Sequence, residues 1–530
     1  MSDLMDMVQA LLRPEAYPER PASVELVETH ISFIFLTGQY VYKVKKPVNF
    51  GFLDFTTLEK RKHFCDQEVA LNRRLSPDVY LGVVEVRKDD GRYAVDGPGQ
   101  TAEYAVKMRQ LPRERSLQAM LARGEVGSEQ VRRVAEKIAR FHQETESGPE
   151  ITRAGGLETV RTNVEENFQQ TEKYVGGVLD ADAFDDLVAY SRAFMEARQD
   201  LLRRREEDGR IRDCHGDLHS AQIFLDDGIQ VIDCIEFNER FRYSDVALDV
   251  AFLAMDLDHH GRGDLSRVLM EAYVQASGDT GVWPLLDFYK CYRAYVRAKV
   301  TSFRLDEPQL PAAERQATEK MARSYYSLAH QYARRAVPRP ALFLVAGLMG
   351  TGKSHLAAEL GRRWEMAALS SDIARKALAG IGATEHRYEP FGQGIYSAQF
   401  DQKTYHQMFQ EAAEALRQGQ SVVLDASFRQ SALRRSAIEV AQRAGAQAWV
   451  IECTAPDEEI HRRLARRTSG QEETVSDGRW EIYHAQKAAW EPVAEVPPHR
   501  HIQVNTSGTS QETVRRALEL LSISFLTQED

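Results

Sequence analysis

The octapeptide "GLMGTGKS" at residues 347–354 constrains the fold more than any other feature of this sequence. It matches the pattern G-x-x-x-x-G-K-[ST] and directly follows the apolar run "ALFLVA". Such a loop needs a buried strand before it and a helix after it, because its glycines let backbone N–H groups approach a phosphate and the helix N-terminus adds positive potential. The sequence therefore predicts a nucleotide-binding P-loop here.

Residues of this loop and of two neighbouring strands are the candidates for the chemistry of this site. Lys353 is expected to reach the β- and γ-phosphates, and Ser354 to bind Mg²⁺. Asp425 ends the strand "SVVLD", the usual place for a carboxylate that supports Mg²⁺. Asp372, in "LSSDIARK", ends the second strand, where a carboxylate can meet an acceptor hydroxyl. The remaining loop positions expected to line the nucleotide are Gly347, Gly350, Thr351 and Gly352.

Arginines cluster in "HRRLARR" (461–467), directly before a polar stretch, 468–478, that we interpret as a lid. An arginine placed there can neutralise charge that develops on a transferred phosphoryl group. A solvated helix face explains any single one of these arginines equally well.

The pattern of the second half differs from that of the first. From "ALFLVAG" onwards, apolar strands alternate with helical segments, which predicts a parallel, doubly wound α/β sheet with helices on both faces. Pro338 and Pro340 bracket Arg339 just before the first of these strands, so a helix cannot continue through this point. We therefore expect two domains, 1–336 and 337–530.

The first half begins with strand-like segments. "ISFIFLTGQYVYKVKKPV" (31–48) predicts a hairpin, 57–75 a helix, 82–97 a second hairpin and 103–112 a further strand. Beyond this point the chain has mainly helical patterns, apart from 214–237. The expected fold is α+β, with a strand-rich N-lobe at about 20–112 and a helical C-lobe at about 113–336.

A second set of candidate phosphotransfer residues lies in this first half. Asp217, in "CHGDLHSAQIFLDDG" (214–228), is the candidate base, and Asp233, in "QVIDCIEF", is the candidate Mg²⁺ ligand. Lys43 lies on a predicted strand, and Lys45 lies on the same face of that strand. Either lysine is therefore a candidate to bind the phosphates of the nucleotide. Glu68, on the predicted helix, is placed to pair with the lysine. Each residue alone is common on a protein surface, but the ordered set indicates a kinase-like site.

These residues carry a resemblance to a known family. "HGDLHSAQIFLDDG", "VIDCIEF", "YSDVALDVAFL" and "IARFHQ" resemble the aminoglycoside phosphotransferase and choline-kinase-like branch of the protein-kinase fold, over about the first 330 residues. The resemblance implies that Asp217 is the catalytic base, Asp233 the principal Mg²⁺ ligand, Lys43 the phosphate-binding lysine and Asp249 a structural aspartate. This chain has Gln222 where the family usually has a metal-binding Asn, which puts the same amide oxygen one methylene further out.

The second half resembles the P-loop kinases of small molecules and polynucleotide ends, which include the zeta-toxin-like kinases. The shared marks are "SSD", "VVLDASF" and the arginine-rich segment. This resemblance implies Asp372 as the base for the acceptor hydroxyl and Arg463 or Arg466 as a lid arginine. Both halves in this order resemble bacterial proteins in which an aminoglycoside phosphotransferase is fused to an ATP-binding P-loop domain.

Composition limits the possible partners and the expected location. With a net charge of -11, the chain is not expected to bind nucleic acid or anionic membranes in general. The five cysteines are scattered, which is typical of reduced thiols in the cytosol. The first residues lack a signal-type apolar core, and no apolar run approaches the roughly 20 residues that span a bilayer. We expect a cytoplasmic protein.

Together these features predict a bifunctional, ATP- and Mg²⁺-dependent kinase that phosphorylates a hydroxyl of a small molecule. Two alternatives stay open. In one, prompted by Gln222, the first domain is a ligand-binding pseudokinase that regulates an NTP-driven switch. In the other, the second domain is a P-loop kinase that phosphorylates nucleic-acid ends. The sequence does not identify an acceptor or an oligomeric state.

Overall fold

The computed structural model describes residues 2–51, 53–382, 385, 393–468 and 479–527. The chain forms two compact units. The first comprises Met1–Tyr174 and Gln199–Ala329, and the second comprises Val175–Arg198 and His330–Asp530. Across these described ranges, no helix combines the length and the apolar character that crossing a bilayer requires.

The N-terminal part of the first unit is a six-stranded antiparallel sheet with the order β1-β2-β3-β6-β4-β5. Its strands are β1 (Glu25–Glu28), β2 (Ser32–Leu36), β3 (Tyr40–Lys45), β4 (Tyr80–Asp89), β5 (Arg92–Val95) and β6 (Gln100–Arg109), accompanied by the helices α1 (Ser2–Leu11) and α2 (Leu58–Asn72). Both predicted hairpins are present. The side chain of Thr57 starts α2 by accepting a hydrogen bond from the N–H of Lys60.

The rest of the first unit is mainly helical, as predicted. Its helices are α3 (Leu117–Ala122), α4 (Ser128–Glu144), α5 (Pro149–Gly155), α6 (Leu157–Thr171), α8 (Gln199–Glu207), α9 (Glu239–Arg242), α10 (Val246–His259), α11 (Gly263–Ser277), α12 (Leu286–Phe303) and α13 (Ala312–Arg334), whose last turn belongs to the second unit. Helix α7 (Ala181–Ala197), between α6 and α8 in the chain, belongs to the second unit. The segment between α8 and α10 contains two short pairs of antiparallel strands. They are β7 (Ile211–Asp213) with β10 (Tyr243–Asp245), and β8 (Ile223–Leu225) with β9 (Ile229–Val231).

The second unit contains a five-stranded parallel sheet with the order β12-β13-β11-β14-β15. Its strands are β11 (Ala341–Ala346), β12 (Ala367–Ser370), β13 (Val422–Asp425), β14 (Gln447–Thr454) and β15 (His501–Asn505). Its helices, besides α7, are α14 (Lys353–Arg363), α15 (Ser371–Leu378), α16 (Ala398–Arg417), α17 (Ser431–Arg443), α18 (Asp457–Thr468), α19 (Trp480–Ala488) and α20 (Ser510–Leu526).

Strand β11 shows why this sheet needs helices on both faces. Phe343 and Val345 belong to one hydrophobic core, and Leu342 and Leu344 belong to another, because successive side chains point to opposite faces of a sheet. Both faces are apolar, so both must be covered. This confirms the predicted doubly wound parallel sheet.

Helix α7 marks a difference from the sequence-based division at residue 337. Ala189 of this helix is part of the core that covers one face of the parallel sheet, and the helix packs against α20. Arg363 of α14, only 6% exposed, pairs with Asp182, Asp185 and Asp186 of α7 at 2.8, 3.3 and 3.4 Å. Residues 175–198 therefore belong with the P-loop unit, although they precede the catalytic loop of the first unit in the chain.

The Arg363→Ala substitution is expected to destabilise the second unit by about 3 kcal/mol, because it removes the buried cation that Asp182, Asp185 and Asp186 share. Chemical denaturation followed by the fluorescence of Trp364 and Trp449 in this unit's core would measure the loss. Arg362→Ala is the matched control. Arg362 is 54% exposed and pairs with Asp182 at 2.5 Å, so its loss is expected to cost less than about 1 kcal/mol. Equal effects of the two substitutions would contradict this account of α7.

Candidate active sites

Two lysines of β3 share one buried carboxylate at the first site. The Nζ atoms of Lys43 and Lys45 lie 2.8 and 2.7 Å from the two carboxylate oxygens of Glu68, on helix α2. Burial acts to raise the pKa of Glu68, but the two ammonium groups outweigh it and lower the pKa to about 2. The alternation of β3 places both lysines on one face, and α2 brings Glu68 between them.

The two lysines differ in their second partner. Lys43 is 12% exposed and lies 2.8 Å from Asp233 Oδ1. Lys45 is fully buried and forms a short ion pair with Glu236, which is itself buried. Glu236 is therefore engaged with the N-lobe through Lys45. Of the two, Lys43 is adjacent to the candidate metal ligand, which favours it as the phosphate-binding lysine.

Asp233 follows β9 and has the properties expected of a metal ligand. Its φ is +64°, and its N–H donates to the hydroxyl of Tyr80 at 3.0 Å, which holds this unusual backbone conformation. Its side chain is 44% exposed, and Oδ2 accepts a hydrogen bond from Gln222 Nε2 at 3.1 Å. Gln222 is thus long enough to reach the site. Rotation of the Gln222 amide by 180° would direct its oxygen, instead of its NH₂ group, towards the side chain of Asp233. Asp233 and Gln222 therefore fit a Mg²⁺ ion.

Gln222→Ala is expected to weaken Mg²⁺ binding at the first site by roughly tenfold, because one oxygen ligand is lost. Titration of Mg²⁺ into the ATP-bound chain carrying Lys353→Ala, which silences the P-loop site, would measure the change. Gln143→Ala, an exposed glutamine whose amide donates to Ala276 O, is the control. An unchanged Mg²⁺ affinity in Gln222→Ala would show that this side chain is not a ligand.

Asp217 lies in the loop between β7 and β8, next to His219. The carboxylate Oδ2 is 3.3 Å from His219 Nε2. The other ring nitrogen of His219, Nδ1, accepts from the N–H of Ala221, so Nε2 carries the proton and donates to Asp217. Burial acts to raise the pKa of Asp217, but His219 and Arg297 hold it below its usual value. The carboxylate is therefore ionised at neutral pH, as a base or an orienting acceptor requires.

Asp249 of α10 holds the backbone of this loop. It accepts hydrogen bonds from the N–H groups of His215 and Gly216 at 3.0 and 2.9 Å, and its Oδ2 lies 3.1 Å from His142 Nε2. These contacts have the form expected of a structural aspartate. Arg293 adds a hydrogen bond to Gly216 O at 3.0 Å. No local pattern pointed to Arg293, because it lies 77 positions away from Gly216, on α12.

The first unit is expected to lose stability in acid through Asp249. Burial acts to raise its pKa, but hydrogen bonding to His142 and neighbouring positive charge lower it from 3.8 to about 2. The ionised Asp249 therefore contributes about 2 kcal/mol to the free energy of unfolding at pH values well above 3.8. This contribution is lost as the pH falls from 3.8 towards 2. Denaturant midpoints measured from pH 5 to pH 2 should fall less steeply for Asp249→Asn than for the wild type. Parallel slopes would contradict the assignment.

The P-loop of the second unit has the backbone that its glycines predict. Gly350 and Gly352 have φ near +78° and +79°, and a Cβ on Gly347 would come within 2.7 Å of Cys453 O. Thr351 donates its hydroxyl to Leu348 O at 2.7 Å, so it braces the loop from within. The N–H of Met349 donates to Gln486 of α19, a contact that the sequence did not predict.

A cavity of about 260 Å³ opens beside this loop. Lys353, Ser354, Asp372 and Asp425 all line it, so the predicted residues are brought together. Asp425 is 9% exposed, and its Oδ1 is buried without a hydrogen-bond partner. Burial raises the pKa of this carboxyl, and Lys353 opposes the rise. A buried carboxylate oxygen without a donor, beside a serine hydroxyl, fits a Mg²⁺ ion.

Asp372 lies at the start of α15, on the wall of this cavity. Its Oδ1 accepts a hydrogen bond from Arg375 at 3.3 Å. Arg375 is buried and also donates to Asp401 of α16 at 2.5 Å, while Arg429 lies 3.8 Å from Asp401. Asp372 is thus held by an arginine that also pairs with a second carboxylate, and it lines the cavity.

The two candidate lid arginines on α18 have different surroundings. Arg463 donates to Gly350 O at 3.3 Å and to Thr506 O at 2.5 Å, and it pairs with Glu459 at 2.7 Å. It therefore holds the P-loop backbone. Arg466 is exposed on the same helix. Most of the predicted lid, at 469–478, lies outside the described residues.

Comparisons with known proteins match one family model to a segment of each half of the chain. A model of the phosphotransferase enzyme family (APH) matches residues 117–289, and an AAA domain model (AAA_33) matches residues 342–492. Uncharacterized proteins of Mycobacterium tuberculosis (strain H37Rv) and Mycobacterium bovis are each 30% identical over 498 residues, covering 94% of this chain and 95% of theirs.

Comparison with solved structures finds a partial likeness to two proteins, among others. A choline/ethanolamine kinase family protein from Mesorhizobium loti is 13% identical and covers 62% of this chain and 100% of its own, with a TM-score of 0.38. The GDP complex of aminoglycoside 2'-phosphotransferase-IIIa is 15% identical and covers 58% and 93%, with a TM-score of 0.35.

The folds, the sites and the family matches define a chain with two kinase-like domains, of the phosphotransferase class. The chain belongs to the same family as the mycobacterial proteins. It combines an aminoglycoside-phosphotransferase-like domain with a P-loop kinase-like domain, as the sequence predicted.

Proposed function

We propose that this protein is a bifunctional kinase that transfers the γ-phosphate of ATP to small-molecule hydroxyls at two separate sites. The observation that carries the proposal is the buried, unpartnered Oδ1 of Asp425 in the cavity lined by Lys353 and Ser354. A carboxylate in this setting costs several kcal/mol unless a cation satisfies it. The Lys43–Asp233–Gln222 arrangement supports an equivalent role for the first site.

At the first site, Asp233 and Gln222 would hold Mg²⁺, which when bound neutralises charge on the phosphate oxygens. Lys43 is held between Glu68 and Asp233, so its ammonium is already oriented before nucleotide binds. Asp217 accepts the proton of the acceptor hydroxyl through one oxygen while its other oxygen keeps the hydrogen bond from His219. Asp249 keeps the loop rigid, which preserves this geometry.

At the second site, Ser354 and Asp425 would hold Mg²⁺, and Lys353 would contact the β- and γ-phosphates. Asp372 accepts the proton of the acceptor hydroxyl, with Arg375 fixing its orientation. With Arg463 engaged by the P-loop backbone, we assign the lid role to Arg466, where its charge would act on the transferred group.

The test is ATP turnover by the full chain with Mg²⁺ and a pool of small hydroxyl compounds, followed by mass spectrometry. The expected result is Mg²⁺-dependent formation of products heavier by one phosphoryl group, with two ATP molecules bound per chain at equilibrium. One bound nucleotide and one class of product would favour the regulatory alternative, in which the first domain binds ligand without turnover. Products found only with an oligonucleotide would favour the nucleic-acid end kinase.

A further inference from the structure

Three side chains of the kind that bind metal ions lie together at the C-terminal end of α10. Asp256, His259 and His260 each offer one ligand atom, and these atoms lie within 4.8 Å of one another. Asp256 Oδ1 is 4.0 Å from His260 Nε2. The spacing i, i+3, i+4 places all three on one side of a helix. Neither proposed reaction uses the two histidines.

The tautomer of His259 can be deduced from its neighbours. Its Nε2 lies 2.9 Å from the hydroxyl oxygen of Ser324, and that hydroxyl donates its hydrogen to Met321 O at 2.7 Å. The oxygen of Ser324 therefore accepts, and Nε2 of His259 carries the proton. The other nitrogen, Nδ1, then has a free lone pair, and it is buried without a hydrogen-bond partner.

The remaining contacts hold the ligands in place. The His259 ring stacks on Tyr325 with ring centroids 3.9 Å apart. Asp256 is 4% exposed, and its Oδ2 accepts from the N–H of Ser220 at 2.9 Å, which leaves Oδ1 towards the histidines. Metal sites in proteins have this arrangement, in which the atom that does not bind the ion has a partner that fixes the ligand's orientation.

We propose that Asp256 Oδ1, His259 Nδ1 and His260 Nε2 bind a divalent transition-metal ion of the zinc type. Two imidazoles and one carboxylate prefer Zn²⁺ or Co²⁺ to Mg²⁺, which takes oxygen ligands. Three protein ligands leave a fourth position open for water or a substrate oxygen. Arg297 is close enough to Asp256 and His259 for its positive charge to repel a bound cation. The site is therefore expected to bind the ion less tightly than the same ligands would without Arg297.

The ion would also act on the catalytic loop of the first unit. Asp256 holds the N–H of Ser220, and Ser220 begins the 3₁₀ turn that ends at Gln222. Fixing Asp256 with a metal therefore restrains the turn that carries the candidate Mg²⁺ ligand. Hydrogen exchange of residues 215–222 is expected to slow when Zn²⁺ is added.

The test is titration of the full chain with Co²⁺, with Mg²⁺ in large excess, followed by visible absorption and by displacement with Zn²⁺. The expected result is one site per chain with the intense bands of four- or five-coordinate Co²⁺. His259→Ala/His260→Ala should weaken binding by at least about a hundredfold, and Ser324→Ala by roughly tenfold. His63→Ala, at an exposed histidine on α2, should change nothing.

Two results would overturn the proposal: absence of the Co²⁺ bands, or equal Co²⁺ affinity in the wild type and the double variant. Circular dichroism and thermal unfolding check that the variants are folded. His260→Ala alone, at a side chain 25% exposed, provides a mild substitution should the double variant unfold. Because the readout is metal binding, it is independent of whether either kinase site is active.

Discussion

Asp217→Asn is expected to abolish the product of the first site while the product of the second site persists. The substitution keeps the shape of the side chain but removes its negative charge, so the acceptor hydroxyl loses its proton acceptor. General-base catalysis contributes roughly a hundred- to ten-thousand-fold, and a drop in kcat of this size is expected. The KM for ATP should change little, because Lys43, Glu68 and Asp233 are intact.

Asp227→Asn is the matched control, because it makes the same chemical change ten positions along the same segment. Asp227 is exposed in the turn between β8 and β9 and has a φ of +43°, a conformation that Asn tolerates well. Its kinetics should equal those of the wild type. If Asp217→Asn leaves every product in place, the first site is not catalytic, and the pseudokinase alternative gains.

Lys353→Ala is expected to remove the product of the P-loop site and to leave that of the first site. Lys353 lines the cavity beside the P-loop, and its ammonium is the charge expected to stabilise the β- and γ-phosphates. Loss of one such stabilising group costs roughly a hundred- to a thousandfold in kcat. Nucleotide binding at this site should weaken as well, so equilibrium titration should find one ATP per chain instead of two.

Lys403→Ala, an exposed lysine on α16, removes the same charge without touching the cavity, and it should behave as the wild type. The two active-site variants together then separate the sites. If each one removes a different product, both sites are active and Gln222 is a tolerated replacement for Asn. If Lys353→Ala removes both products, the first domain depends on the second or has no activity of its own.

Much of each site was predictable because it is encoded in short, local patterns. The P-loop requires its glycines and Lys353 within eight residues, and the strand β11 before it is apolar on both faces. The His-Gly-Asp loop and the Asp233 segment lie within 20 residues of each other. Backbone conformation and strand alternation follow from such local sequence, so the fold class and the candidate residues could be assigned directly.

Other features depend on which distant segments pack together. Lys43 and Lys45 have the same alternation and are equivalent in sequence. Only the packing of α2 and of the Asp233 loop places Lys43 beside Asp233 and buries Lys45 with Glu236.

Helix α7 joins the second unit because its acidic face meets Arg363, 177 or more positions away. Local sequence determined the chemistry that the chain carries. The tertiary structure decided which of the competing charges line the candidate sites and which are neutralised in the core, because burial and ion pairing are set by contacts between residues far apart in the sequence.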